Sequence, residues 1–376
     1  MSYRVAMVAA CPFPVPQGSQ VLIQNSAVAL AEAGHEVHLL TYGHGMGDCP
    51  RGVKHHRIAQ IAFATKTAAG PSIWKPLQDA LMVRALRRLI AEHRIEIVHA
   101  HNYEGLLIAL AVGHRPIVYH AHNAMADELP YFVRPHTSAA RLGRWLDRTF
   151  PKRADACIAL HNRLASYLLE CGCTRDRLFI VPPPIESIAL DAQTEMTAHP
   201  AIVYMGNLDR YQNIALLHQI QTALGQKHPD LAIQILTSDT RPIAGFETRV
   251  IHTRDELWSE LSKDIVVLST RTSWGGFPIK LANAMMWGKP VIASQSAAPG
   301  IIHGETGIII GDNDVAGFVE AIANLAEDPS LRRRLGESAK HAARQFEFSA
   351  FETACSNIYE RSLARLSGQA SRTTGR

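Results

Sequence analysis

Two short stretches carry the side chains best suited to chemistry. IVHAHN at 97–102 and VYHAHN at 118–123 are apolar runs that each end in His-Ala-His-Asn. Alternate residues of a strand share a face, so His99 pairs with His101 and His120 with His122. Four imidazoles invite a metal, but no paired carboxylate or cysteine completes a ligand set, and no metal is expected. The chemistry favoured is hydrogen bonding to a hydroxylated or phosphorylated ligand, or satisfaction of loop backbone. His101, His122 and Asn123 stand where these runs end.

A second candidate is RTSWGGFPIKLANAMMWGKPVIAS at 271–294. An apolar run precedes Gly275 and Gly276. Ile279, Ala282, Met285 and Met286 then recur at helical spacing, and Val291-Ile292-Ala293 opens another apolar run. Strand, glycine turn, helix, strand is a βαβ unit. Ligands bind open α/β sheets at the carboxyl ends of strands. Glycines there admit a phosphate to backbone N–H groups, and the helix N-terminus adds partial positive charge. Gly18 and Ser19, before a helix over 21–34, repeat that arrangement.

The elements that position these residues alternate along the whole chain. Strands are expected at 3–10, 36–41, 54–58, 97–101, 118–122, 156–160 and 178–181, then at 201–205, 231–236, 250–252, 265–268, 291–293 and 307–310. The helix over 74–93 either covers a sheet or lies on a membrane. An arginine-rich helix is expected within 131–150, with Arg134, Arg141, Arg144 and Arg148 interleaved with Leu142, Trp145, Leu146 and Phe150. It offers a basic surface to an acidic or lipid-phosphate group, or is a solvated face. Pro182, Pro183 and Pro184 form an extended connector. The fold class is therefore α/β, with an N-terminal domain over 1–184 and a C-terminal domain over 185–345. The small polar tail, 367–376, is expected to be disordered.

The 376 residues suffice for two domains, and no apolar run is long enough to cross a bilayer. The N-terminus reads as a first strand and not a signal peptide. Six scattered cysteines match no common zinc spacing and read as reduced thiols of a cytoplasmic protein. The net charge of +4 is uneven. Through residue 185 there are 20 Lys and Arg against 13 Asp and Glu; the remainder has 18 against 21. A basic N-terminal half suits an anionic partner: phosphate, nucleic acid or an anionic membrane surface. The basic helices show no nucleic-acid reader motif, which disfavours nucleic acid.

In order along the chain, PFPVPQGS, LAEAGHEVHLLT, IVHAHN, VYHAHN, RADACIAL, RLFIVPPPIE, YMGNLDRYQNIALL, GGFPIKLANAMMWGKPVIAS and HGETGIIIGDN followed by DPSLRRRLGESA resemble retaining glycosyltransferases of family 4 with the GT-B fold. The resemblance covers nearly the whole length. It implies two Rossmann-like domains facing across a cleft, the C-terminal one binding a nucleotide-sugar of UDP or GDP type and the N-terminal one a glycan or lipid-linked acceptor. A final helix over about 346–366 would return to the N-terminal domain. Peripheral contact with the inner face of the membrane is implied, and no metal or other cofactor.

Carried over by motif, the resemblance places Gly18, Ser19, Asn207, Arg210, Gly276, Phe277, Lys280, Leu281 and Asn283 at the donor. His101, Asn123 and Arg144 fall on the acceptor side. His122 would stand near the reacting sugar as a hydrogen-bonding or orienting group. The chain departs from the family in two ways. Gly275 and Asn283 stand where a Glu-x7-Glu pair is usual. Asn207 and Gln212 stand where an Arg and a Lys usually grip the diphosphate. Arg210 and Lys280 are the expected substitutes. The alternative is a non-catalytic GT-B protein that binds a nucleotide-sugar or a partner transferase.

Overall fold

The structure is a computed structural model that describes residues 2–373 except 16, 65, 68–69, 71, 187–194 and 242. The chain divides into two compact units. The first comprises Met1–Pro184, Gly275–Phe277 and Phe348–Arg376; the second comprises Ile185–Trp274 and Pro278–Glu347.

In the first unit the strands are β1 (Arg4–Ala9), β2 (Glu36–Thr41), β3 (Lys54–Arg57), β4 (Ile97–His101), β5 (Ile117–Ala121), β6 (Ala156–Ala159) and β7 (Leu178–Ile180). They form one parallel sheet in the order β3-β2-β1-β4-β5-β6-β7. The order reverses between β1 and β4, so the loops that follow these strands diverge and leave a crevice at the carboxyl edge. Val5, Met7, Ile97, Val118 and Ile158 have no exposed surface, as in a parallel sheet covered on both faces.

The helices of this unit are α1 (Gly18–Glu32), α2 (Lys75–His93), α3 (Asn102–Val112), α4 (Met125–Phe132), α5 (His136–Thr149) and α6 (Asn162–Glu170). α2 buries Gln78, Met82, Leu86 and Leu89, so it covers the sheet. The arginine-rich helix expected within 131–150 is α5, which carries Arg141, Arg144 and Arg148, while Arg134 lies between α4 and α5. Pro135 follows Arg134 between them, and a residue before proline is pushed out of the helical region.

The second unit has β8 (Ala201–Met205), β9 (Ile233–Thr237), β10 (Glu247–Val250), β11 (Ile265–Ser269), β12 (Val291–Ser294) and β13 (Ile308–Ile310). These too are parallel, in the order β10-β9-β8-β11-β12-β13, with the switch between β8 and β11. Its helices are α7 (Ile214–Lys227), α8 (Arg254–Leu261), α9 (Ile279–Met286), α10 (Val315–Glu327) and α11 (Pro329–Ala342). β10 begins three residues before the strand expected at 250–252. A buried ion pair locks this unit. All five Arg332 N–H groups are used, on Asp264 Oδ1 and Oδ2 and on the carbonyls of Leu325, Ala326 and Thr197.

The final helix, α12 (Phe348–Thr373), belongs to the first unit. Phe351, Cys355, Ile358 and Tyr359 enter the core beside Val5, Met7, Ile23 and Ile97. Burying each of the larger side chains stabilises by about 1.5–3 kcal/mol. The helix continues through 367–373, where a disordered tail was expected. Gly368 alone costs only about 1 kcal/mol in a helix interior, and Gln369 and Ala370 beyond it are good helix formers. Residues 374–376 lie outside the described residues. Among the described residues no helix is long and apolar enough to cross a membrane.

Candidate functional site

In the second unit, the two loops at the β8/β11 switch are tied together. The Thr270 hydroxyl donates to Gln212 O at 2.9 Å, and Thr272 N donates to Tyr211 O at 3.0 Å. Gly206 opens the first loop at φ +121°, a conformation that L side chains rarely adopt. A Cβ on Gly206 would lie 3.5 Å from Lys280 Nζ, so the lysine comes close to the glycine turn.

Lys280 is the second residue of α9. Its ammonium donates to Gln212 Oε1 at 2.9 Å and sits 3.8 Å from the centre of the Tyr204 ring. Burial pushes its pKa well below the ordinary lysine value; the Arg271 charge adds to this, and Asp209 opposes it. Among the described residues, no carboxylate forms an ion pair with Lys280. Arg271, just past β11, donates to Ser273 Oγ at 2.9 Å and lies over the Tyr211 ring at 4.9 Å. Two cations thus stand at the carboxyl edge of the sheet. One, Lys280, was expected there. The other is Arg271; Arg210, the second cation expected, is exposed in a single helical turn of the loop after β8.

Asn207 turns toward its own loop, with Nδ2 2.9 Å from Asp209 Oδ2. Tyr211 OH donates to the same oxygen at 2.8 Å. Leu281 is fully buried, an anchor of α9, and Asn283 is half-buried one turn beyond Lys280.

In the first unit the histidine set is assembled across strands. His101 Nδ1 and His122 Nε2 share a hydrogen bond of 3.0 Å, and His99 Nε2 and His120 Nδ1 one of 3.2 Å. The expected same-strand neighbours stack instead: the His99 and His101 rings lie 4.6 Å apart and nearly parallel. His99 Nδ1 and the Tyr359 hydroxyl are 2.6 Å apart, which ties the cluster to α12. Burial lowers all four pKa values, to about 3 for His99 and His122, so the imidazoles are neutral. Among the described residues, His101 Nε2, His120 Nε2 and His122 Nδ1 have no hydrogen-bond partner.

Asn123 does not join the histidines; its Nδ2 donates to Glu128 Oε2. Burial raises the Glu128 carboxyl to about 7, Glu104 adds to the shift, and Lys75 and Asn123 oppose it. Lys75 Nζ is 2.6 Å from Glu104 Oε1, and Tyr42 OH donates to Asp79 Oδ1 at 2.7 Å. These groups follow β2, β4 and β5 or open α2, and sequence reasoning missed them because they lie far apart in the chain. Arg144 is exposed on α5, with no hydrogen bond or ion pair among the described residues.

Gly18 is exposed and Ser19 half-buried at the start of α1, whose N-cap residue Gln17 gives no side-chain cap. Gly275, Gly276 and Phe277 group with the first unit. Gly275 N donates to Asp127 Oδ2 at 2.9 Å, and a Cβ there would lie 2.8 Å from Ala124 N. No side chain fits at Gly275 without a shift, so a glutamate is excluded in this arrangement. Phe277 lies 6.4 Å, ring to ring, from His161.

Comparison with known proteins accords with this arrangement. The model of Glycosyltransferase Family 4 matches residues 16–187, and that of Glycosyl transferases group 1 matches residues 199–328. The D-inositol 3-phosphate glycosyltransferase of Corynebacterium glutamicum is 24% identical, over 96% of this chain and 97% of the relative. The sucrose-phosphate synthase structure from Thermosynechococcus elongatus superposes with a TM-score of 0.77 at 16% identity, over 96% of this chain and all of the other. Anabaena HepE in complex with UDP and glucose gives 0.70 at 14% identity, over 95% and 99%. With two Rossmann-like units, two family models in the matching order and whole-length relatives, the chain belongs to glycosyltransferase family 4 and has the GT-B fold.

Proposed function

We propose that this glycosyltransferase moves a hexosyl unit from a UDP- or GDP-type nucleotide-sugar to a glycan or lipid-linked acceptor, with retention of anomeric configuration. The observation that carries the reading is the Lys280 ammonium, enclosed beside the Gly206 turn with Arg271 near it. A diphosphate is the ligand such a site suits. Its charge compensates the cations, and its oxygens accept from them and from backbone N–H groups.

In the reaction, the bond from the anomeric carbon to the diphosphate oxygen breaks as the acceptor oxygen bonds the same face of that carbon. The acceptor proton passes to the departing diphosphate. The protein contributes position and charge stabilisation, with Lys280 and Arg271 balancing the developing negative charge. Neutral His122 offers a hydrogen bond and no charge. Asn123, Glu128, Glu104 and Lys75, at the carboxyl edge of the first sheet, are suited to acceptor hydroxyls.

A lipid-linked acceptor at a membrane surface accords with α5. This helix buries Ala139, Gly143 and Asp147 and leaves Arg141, Arg144 and Arg148 exposed beside Leu142 and Trp145, about half-exposed. Cations beside apolar side chains favour an anionic interface. The UDP bound to HepE and the inositol phosphate in the Corynebacterium relative's name make UDP-sugars and phosphorylated polyols the first compounds to try.

The test is nucleotide release from UDP-glucose, UDP-N-acetylglucosamine and GDP-mannose, with and without acceptors, and NMR of the product anomer. Acceptor-dependent release with an anomer that matches the donor supports the reading. Binding without release, or an inverted product, overturns it, and binding without release favours the non-catalytic alternative.

A further inference from the structure

A second group of histidines lies outside the donor and acceptor regions. His38 comes from β2, His56 from β3 and His93 from the last residue of α2. α2 runs against the strands, so its end lies toward their amino ends, away from the carboxyl edge. His38 is buried, and His56 and His93 are half-buried.

We propose that His38, His56 and His93 bind a divalent first-row transition metal ion, zinc being the ion their chemistry fits. His38 Nδ1 and His56 Nε2 are 3.0 Å apart. Two imidazole nitrogens on one tetrahedral zinc lie about 3.3 Å apart, given Zn–N bonds of about 2.0–2.1 Å. The His93 ring centre is 4.2 Å from that of His38 and 5.5 Å from that of His56. One nitrogen from each ring falls within a common span of 4.8 Å, so small side-chain rotations bring all three onto one ion.

The other nitrogen of His38 is already committed. Nε2 is 3.0 Å from Glu36 Oε1, the carboxylate–histidine pairing that orients zinc-binding imidazoles. Lys54 Nζ is 2.5 Å from the same oxygen, so the nearest cation is engaged with Glu36. Three protein ligands leave a fourth position for water. β3 is the edge strand of the sheet and has only four residues. An ion here would clasp it, and the end of α2, to β2.

The test uses the full chain, freed of metal with EDTA and dialysed. Zinc is titrated against a chromophoric chelator, and the melting temperature is read with and without zinc. The wild type is expected to bind one equivalent at this site and to melt higher with zinc. His56→Gln and His93→Gln, both at half-buried positions, should each weaken that binding roughly tenfold or more and abolish the shift in melting temperature. Glu36→Gln should weaken it roughly tenfold while leaving stoichiometry unchanged. Cobalt in place of zinc should give the intense visible bands of a four-coordinate site. No stoichiometric zinc, or zinc held equally well by both histidine variants, overturns the proposal. The second outcome would move any bound ion to another site.

Discussion

Lys280 Nζ donates to Gln212 Oε1 at 2.9 Å, so one of the four residues at which this chain departs from its family's usual pattern is in contact with a cation expected to substitute for the missing ones. By the family resemblance Gln212 stands where a lysine is usual, and Lys280 reaches it from α9. The amide holds the ammonium at the Gly206 turn, where a diphosphate would receive it.

The first prediction separates the cations. Lys280→Ala and Arg271→Ala should each weaken binding of the donor nucleotide by about 2–5 kcal/mol, since each truncation removes a charge from a partly enclosed site. Arg210→Ala should cost less than about 0.5 kcal/mol, because Arg210 is exposed. Isothermal titration of the three variants checks the order.

Lys280 also makes binding pH-dependent. Its pKa is depressed in the empty site, and a bound diphosphate raises it again. Between these two values, binding takes up a proton, so affinity should fall as pH rises. Titrations in buffers of different ionisation enthalpy should report net proton uptake. Lys280→Gln should abolish that uptake.

How much of this was legible follows the reach of each signal. The two HAHN phrases showed that the strands end in histidines, because a strand's facing is written in alternate residues. Their cross-strand pairing, His99 with His120 and His101 with His122, depends on sheet register, which no local pattern carries. Lys280 was legible as a cation beside a glycine turn. Arg271 was not singled out, because nothing local says which loop arginine lies near enough to act on the lysine's charge. The Glu128 environment was hidden for the same reason. Its partners Glu104 and Lys75 lie 24 and 53 positions away.

Glu128 gives a third prediction. Its folded carboxyl, at about 7, lies above the ordinary 4.5, so the folded state holds a proton that the unfolded state has released. Its contribution is most favourable below pH 4.5 and is lost as pH rises through 7. The difference in stability between wild type and Glu128→Gln, from urea unfolding at several pH values, should change across that window and level off beyond it.

The second unit's ion pair gives a fourth. Asp264→Ala leaves the fully buried Arg332 guanidinium without its charge partner and should cost about 3–5 kcal/mol. Replacing both residues with apolar side chains of similar volume should cost much less. Urea unfolding of the single and double variants compares them.

The account rests on a donor site built around Lys280, and thermal shift of the purified protein against UDP, GDP, ADP and their common sugars tests it most directly. Ligand at 100 times its dissociation constant adds about 2.7 kcal/mol to the folded state. One nucleotide class should raise the melting temperature of the wild type and fail to raise that of Lys280→Ala. No shift with any nucleotide, or an equal shift in both proteins, would contradict the account.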